Sequence, residues 1–244
     1  VLVPARLEEG PGRALLGAAD GTPLVELVEV PGTRPVAPRS RLGLFHFAIL
    51  LPDRPSLGRF LAHLSALGEP VGAGDHLVSE ALYLHDPDGL GIEVYADRPR
   101  EGWRRGPQGE LLMATDPVDM VSLVEAGGGA PFVGLPQGTV MGHLHLHVGE
   151  LAAAEAFYAT ALGLQVMVRS YPGALFLAAG GYHHHLGLNT WARGAPLPTR
   201  ADARLLREDH EIDMRDAAAA GGDALPGLGQ EVAGGRAAPL RVGG

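Results

Sequence analysis

Histidine is the residue type in this sequence best suited to chemistry, because eleven histidines occur among 244 residues and many of them are clustered. Neutral imidazole nitrogens bind transition metals, and an imidazole can also move a proton near neutral pH. Cysteine is absent, which excludes disulfides, thiolate zinc sites and cysteine nucleophiles. The clustered histidines are His143, His145, His147, His183, His184 and His185. This clustering is the feature of the sequence that informs about function.

The strands and helices predicted around these histidines form a unit that occurs twice. The first copy comprises a buried strand over residues 42–51, a helix over 56–67 ended by Gly68, and strands over 76–84 and 91–97, with one further short strand left open. The second copy comprises a strand over 140–148, a helix over 150–162, and strands over 165–169, 174–178 and 182–190. Because a repeat places equivalent residues at equivalent positions, His46 and His143 are expected at corresponding starts of the two first strands.

Side-chain alternation predicts which residues of the second unit share a face. Along 140–148 the three histidines lie on one face of the strand and the intervening leucines on the other. Along 182–190 the same rule places His184 on one face, and His183 and His185 on the opposite face.

The rest of the chain is less regular. Residues 1–31 resemble the tail of a similar unit, with three short strands and no opening strand or helix, and 101–139 form a connector with a short helix over 117–126. Beyond Thr199 the pattern decays, as in the stretches 217–220, 221–222 and 234–235. The expected organisation is an N-terminal half over 1–100, the connector over 101–139, and a C-terminal half over 140–244.

Composition excludes several classes of protein. Nineteen basic and 28 acidic groups give a formal net charge of −9, which argues against nucleic-acid and anionic-membrane binding. Residues 1–10 lack the pattern of a signal peptide, and no apolar run reaches the roughly 20 residues that a membrane span needs. The lack of cysteine suits a reducing compartment, and we expect a cytoplasmic protein.

The repeat register brings out one candidate metal site. His46 and His143 open equivalent strands, and Glu93 lies on the closing strand of the first unit. Two imidazoles and one carboxylate form a facial triad for a divalent metal, which leaves coordination positions open for non-haem Fe(II) chemistry. The alternatives are packed or surface histidines and a solvated strand carboxylate.

Four stretches of this sequence resemble the vicinal oxygen chelate superfamily, most closely its ring-cleaving extradiol dioxygenases of the CatE-like, catechol 2,3-dioxygenase type. These stretches, within residues 21–196, are GLFHFAILLPDRPSL, HLVSEALYLHDPDGLGIEVYADRPREGW, MGHLHLHVGELAAAEAFYATALGL and GALFLAAGGYHHHLGLNTW. The resemblance implies an α+β fold of paired βαβββ modules that form cup-shaped sheets around a metal. Of the four modules of full-length members, this chain would hold part of the first and all of the second and third, and the fourth is left open.

The resemblance assigns roles residue by residue. His143 and His46 match the first-strand ligands of neighbouring modules, and Glu93 matches the carboxylate ligand that follows an Asp-Pro-Asp-Gly turn. The equivalent carboxylate position of the third module falls near Gly187, and this gap favours a three-ligand dioxygenase centre over the four-ligand site of a glyoxalase I.

Further side chains are expected around that centre. His184 aligns with the histidine that extradiol enzymes use beside the O2 position, Tyr83 with the tyrosine that contacts a substrate oxygen, and His76 more weakly with a further cavity histidine. His145 and His147 are expected to line the cavity without binding metal. Glu26 resembles Glu93 in its strand, but its unit has no opening strand here, so a structural role is expected.

The activity that follows is oxidative cleavage of a catechol next to its hydroxyls, with Fe(II) as cofactor or Mn(II) in its place. The expected partners are a small catechol-like aromatic substrate and O2, and a homo-oligomer is left open. Two alternatives use the same fold: a glyoxalase-like metal-dependent isomerase, and a bleomycin-resistance-like protein that sequesters a ligand without turnover. A full ligand triad argues against sequestration, because a passive cup needs no metal ligands.

Overall fold

Two β-sheets contain the strands in residues 1–207 and 240–243, the part of the chain that this computed structural model describes. The strands of the N-terminal part are β1 (Ala5–Gly10), β2 (Arg13–Gly17), β3 (Pro23–Val28), β4 (Gly43–Leu50), β5 (Gly72–Asp75), β6 (Ser79–His85) and β7 (Gly91–Asp97). Those that follow are β8 (Val140–His147), β9 (Gln165–Val168), β10 (Ala174–Ala178), β11 (Leu186–Asn189), β12 (Arg204–Arg207) and β13 (Leu240–Gly243). The α-helices are α1 (Arg54–Leu67), α2 (Met120–Ala126) and α3 (Leu151–Glu155).

The larger sheet has eight strands in the order β5-β6-β7-β4-β8-β11-β10-β9. Its two halves are the two predicted units, and they meet where β4 pairs antiparallel with β8. Each of these first strands also pairs in parallel with the closing strand of its own unit, β7 or β11. The repeat is therefore confirmed, and the two units form one continuous curved sheet despite the 40-odd residues between β7 and β8.

Helix α1 begins and ends at residues whose chemistry favours those positions. The Asp53 carboxylate accepts a hydrogen bond from the Ser56 backbone N–H, and Gly68 ends the helix in a left-handed conformation with φ 69°. Between them an apolar stripe is buried against the sheet; it consists of Leu57, Phe60, Leu61 and Leu64. This stripe covers one face of the larger sheet and leaves the other face for the histidines.

The second unit's helix differs from the expectation. In place of one α-helix over 150–162, the chain forms α3 and then a π-helical segment, Ala156–Ala161. A π-helix has more residues per turn than the 3.6 of an α-helix, so the apolar spacing no longer defines one buried face. Phe157 and Leu162, expected on that face, are accordingly 54% and 50% exposed.

The smaller sheet has the order β1-β2-β3-β13-β12. Its first three strands confirm the expectation for residues 1–31, whereas β12 and β13 were not predicted. The stretches 217–220, 221–222 and 234–235 lie outside the described residues, and the boundaries at 100 and 140 stay a prediction. None of the helices in the described ranges is long and apolar enough to cross a membrane.

Candidate metal centre and its surroundings

Strand register brings the three predicted ligands together. On β4, Ala48 pairs with Glu93 of β7 on one side and with His143 of β8 on the other, so these two side chains converge over a small residue. His46 lies two residues before Ala48 and therefore shares its face of the sheet. The Nε2 atoms of His46 and His143 lie 3.0 and 3.3 Å from the same Glu93 oxygen, Oε2.

The donor set fits a divalent transition metal. One ligand-type atom from each of the three residues lies within 4.8 Å of the others, and all three residues are buried. The His46 contact with Glu93 lacks hydrogen-bond alignment, which leaves a buried imidazole nitrogen directed at a carboxylate. Two imidazoles and one carboxylate are the 2-His-1-carboxylate set of non-haem Fe(II) oxygenases.

The protonation states also suit metal binding. Burial lowers the pKa of His143 to about 4, with the nearby Glu93 carboxylate opposing part of that change. Burial alone would raise the pKa of Glu93, but the His143 and His46 imidazoles hold it well below its usual range. At neutral pH the site thus presents a neutral His143 imidazole and an ionised carboxylate, the forms in which these residues bind metals.

Glycines make room for two histidines in the next row of the sheet. His46 pairs with His145 across β4 and β8, and the outer neighbours of this pair are Gly91 on β7 and Gly187 on β11. A Cβ at Gly187 would lie 2.8 Å from the His145 ring, and one at Gly91 would lie 2.9 Å from the His46 Cβ. The position equivalent to Glu93 in the second unit therefore has no ligating side chain and no space for one.

Aromatic rings form the wall beside this row. A bulge in β4 separates the pairing of Leu44 from that of His46, so Phe45 and His46 both face the histidines of β8. The Phe45 ring lies 5.3 Å from that of His145 and 4.7 Å from that of His147. His147 is held by a 2.6 Å contact between its Nδ1 and Asn189 Oδ1. His145 and His147 thus lie on the face predicted for them.

Tyr83 and His76 lie next to the candidate metal centre. Tyr83 pairs with Glu93 across β6 and β7, and its ring lies 5.8 Å from that of His46. His76 Nδ1 lies 2.7 Å from the Ala114 carbonyl, so it carries the proton, and Nε2 accepts from the Tyr83 hydroxyl at 2.6 Å. Burial, followed by the charge of Glu93, raises the pKa of Tyr83 well above its usual value, so Tyr83 keeps its proton.

His184 also lies beside the ligands, with its ring 4.1 Å from that of His143. Burial, and then the neighbouring His143, lowers its pKa well below the usual value, so His184 is neutral at rest. The expectation that His183 and His184 lie on opposite faces of one strand is wrong, because β11 begins only at Leu186 and strand alternation does not apply before it. The two imidazoles contact each other through their Nδ1 atoms at 2.7 Å.

Asp97 also lies beside these residues, although it was not predicted from the sequence. Its Oδ1 lies 3.0 Å from His183 Nε2. Asp97 stands four residues after Glu93 on β7, and the period of two along a strand was a signal that could have placed it on the same face.

Glu26 lies apart from these residues, as expected. It is on β3 in the smaller sheet, where the Arg13 guanidinium donates to its carboxylate. Its surroundings therefore differ from those of Glu93 although both carboxylates are buried.

The architecture of two units joined through their first strands, with ligand-type side chains on the inner face, is that of the vicinal oxygen chelate fold. A Bacillus subtilis (strain 168) protein named catechol-2,3-dioxygenase is 52% identical to this chain over 206 residues, which are 80% of this chain and 72% of that protein. The chain belongs to this catechol-2,3-dioxygenase family of the vicinal oxygen chelate superfamily. No protein-family model matches the chain.

The solved structures that match this chain include a Bacillus subtilis protein assigned as a dioxygenase, with 12% identity and a TM-score of 0.48 over 78% of this chain and 55% of that one. The Mn(II)-bound glyoxalase from Novosphingobium aromaticivorans has 19% identity and a TM-score of 0.31 over 78% of this chain and 54% of that one. This chain thus spans about half the length of these two structures.

Proposed function

We propose that this protein is an extradiol dioxygenase that cleaves a catechol ring next to its hydroxyls with O2, at a metal held by His46, Glu93 and His143. The observation that carries the proposal is the buried convergence of two imidazole nitrogens on one carboxylate oxygen, at 3.0 and 3.3 Å. The relative named catechol-2,3-dioxygenase, 52% identical to this chain, supports the substrate class. We assign the metal as Fe(II), with Mn(II) as the alternative.

A bound Fe(II) would supply Lewis acidity that favours ionisation of a catechol hydroxyl, together with a centre at which O2 reacts. Because one carboxylate and two neutral imidazoles carry a single negative charge, a bound Fe(II) with these ligands would have a net charge of +1, which attracts a catecholate. The space near Gly187 carries no fourth ligand, which keeps coordination positions open for substrate.

The surrounding side chains have separate roles in this proposal. His184 is neutral and buried beside His143, and serves as the acid–base group that takes a proton from substrate and later returns it. Tyr83 keeps its proton, and His76 fixes the direction of its hydroxyl, so that Tyr83 orients the substrate through a hydrogen bond. Phe45 and Phe176 exclude water with apolar surface next to His145.

One assay with three possible results distinguishes this proposal from its alternatives. The purified chain is loaded anaerobically with Fe(II), and catechol and O2 are then added while O2 uptake and visible absorbance are recorded. A ring-cleaving dioxygenase consumes one O2 per catechol and forms an absorbing ring-opened product. A glyoxalase-like isomerase instead takes up no O2 with catechol and converts a thiohemiacetal supplied in a parallel sample, and a sequestering protein binds the catechol without forming any product. Either of these last two results refutes the proposal.

Variants at the site connect the activity with the geometry. Glu93→Ala and His143→Ala should lose both metal and O2 uptake, because each removes one of three ligands. Full metal content in both variants would remove the assignment of the ligands even if the chain proved active.

The cysteine-free sequence fits our further expectation of a cytoplasmic location.

A further inference from the structure

Three side chains form a hydrogen-bonded series that starts beside the candidate metal centre. His184 Nδ1 lies 2.7 Å from His183 Nδ1, and His183 Nε2 lies 3.0 Å from Asp97 Oδ1. The His183 side chain is completely buried, whereas that of Asp97 is 26% exposed. The series therefore runs from beside the candidate metal centre towards the surface, and it joins β7 of the first unit to the turn before β11 of the second.

Hydrogen-bond accounting assigns every ring proton in this series. An ionised carboxylate only accepts, so His183 Nε2–H must donate to Asp97. A neutral imidazole carries a single proton, which leaves His183 Nδ1 as an acceptor. His184 must then donate from Nδ1–H, and its lone pair is on Nε2.

Packing around His183 prevents the ring from turning to another arrangement. Tyr182 stacks against it with ring centres 4.0 Å apart, and Trp103 and Tyr95 lie 5.4 and 5.9 Å away. The Trp103 indole N–H is itself fixed by a 3.0 Å hydrogen bond to the Arg98 carbonyl. Rotation of the His183 ring would break both of its hydrogen bonds inside this aromatic enclosure.

We propose that Asp97 and His183 are positioning residues that hold His184 as the Nδ1–H tautomer, with Nε2 ready to accept a proton from the substrate hydroxyl. This inference rests on the proposed function for the identity of the substrate, a catechol. The proton leaves the hydroxyl oxygen and binds His184 Nε2, and the imidazolium so formed keeps its Nδ1–H donated to His183. In the opposite tautomer His184 would present Nε2–H and could not accept that proton.

The tautomer can be measured without turnover. Protein labelled with ¹⁵N-histidine is loaded with diamagnetic Zn(II), and long-range ¹H–¹⁵N correlations show which nitrogen of each imidazole carries the proton; His184→Gln assigns the signals. We expect Nδ1–H for His184 in the wild type and a mixture or the Nε2–H form in His183→Phe. We expect Nδ1–H again in His183→Asn, whose amide oxygen restores an acceptor. An Nε2–H form in the wild type, or an unchanged tautomer in His183→Phe, overturns the proposal.

Kinetics of the Fe(II)-loaded variants give a second measurement. Loss of the outer partner of a metal-bound histidine costs about 10–100-fold, and by analogy we expect a fall of this size in kcat for His183→Phe, with KM and iron content unchanged. His183→Asn should recover most of this loss, and Glu26→Gln, in the smaller sheet away from His183, should retain wild-type kcat. Equal kcat in the Phe and Asn variants would contradict a positioning role.

A variant that does not fold and a wild type without catechol cleavage each have a separate interpretation. If His183→Phe does not fold, Asp97→Ala at the partly exposed end of the series replaces it, and a mixed His184 tautomer is expected there; a pure Nδ1–H form refutes the proposal. If the Fe(II)-loaded wild type cleaves no catechol, the proposed function fails, while the tautomer of His184 still decides this inference.

Discussion

Glu93 and Glu26 provide a matched pair for testing the metal site. Both are glutamates on closing strands, and both are 3% exposed. Glu93 contacts the His46 and His143 imidazoles, whereas Glu26 accepts from Arg13 in the smaller sheet. Replacement of either by Gln keeps the size of the side chain and removes its charge, so that a difference between the variants reports the surroundings of the carboxylate.

The expected size of the effect follows from binding linkage. A metal at one hundred times its Kd stabilises the folded chain by about 2.7 kcal/mol. For a chain of this length about 2–4 °C of Tm corresponds to each kcal/mol, so the wild type should gain about 5–11 °C on metal addition. Loss of a ligand should weaken binding by about 100-fold or more, since loss of an outer partner already costs about 10–100-fold. At the same metal concentration Glu93→Gln then keeps at most about 0.4 kcal/mol, or about 1–2 °C.

The assay is thermal unfolding under anaerobic conditions, with and without Fe(II), accompanied by metal analysis. We expect the increase in Tm to be nearly absent in Glu93→Gln and complete in Glu26→Gln, although the baseline Tm of the latter is lowered by loss of its ion pair. A full increase in Glu93→Gln would refute the assignment of Glu93 as a ligand. An equal loss in both variants would show that burial of the charge, and not its position, determines metal binding.

Other perturbations test separate parts of the structure. His184→Gln should keep its metal and lose about 10²–10⁴-fold in kcat, the range for general acid–base groups, and unchanged turnover or lost metal would count against that role. Gly187→Ala should destabilise the fold by about 1–3 kcal/mol in urea unfolding, because its Cβ would meet the His145 ring at 2.8 Å, whereas Gly10→Ala, with nothing within 4 Å, should have little effect. Equal effects would show that the space beside His145 is not restricted. The Arg41 guanidinium, which is hydrogen-bonded to Asp202, holds the pKa of that carboxyl well below its usual range. The ionised Asp202 therefore stabilises the folded chain fully at neutral pH, and this stabilisation is lost as pH falls below about 3.9 towards the folded pKa. Asp202→Asn should therefore lower Tm at pH 7, and its difference from the wild type should begin to narrow only below about pH 3.9 and narrow further with each fall in pH. A difference that is constant down to pH 2 would contradict this explanation.

The larger sheet could be predicted because its signals are local. The apolar run of β4, the alternating histidines and leucines of β8, and the Gly68 end of α1 each follow from neighbouring residues. The repetition of the unit placed His46 and His143 at equivalent positions before any contact was known. Glu93 followed from the turn that precedes β7.

The remaining features depend on contacts between distant segments. Strand alternation could not describe His183 and His184, since their conformation is that of a turn held by Asp97 and the rings around it. The π-helical segment after α3 breaks a 3.6-residue period that the sequence otherwise supports. The restriction at Gly187 appears only when β8 and β11 are paired, because the atom it would meet belongs to His145.

Anomalous diffraction at the iron absorption edge, from crystals loaded with Fe(II) without oxygen, locates the metal itself. We expect one strong anomalous peak per chain, about 2.0–2.3 Å from Nε2 of His46, Nε2 of His143 and a Glu93 carboxylate oxygen, by analogy with distances at zinc sites. An ordered chain with these three side chains in place and its iron bound elsewhere would refute the assignment of His46, Glu93 and His143 as the ligands.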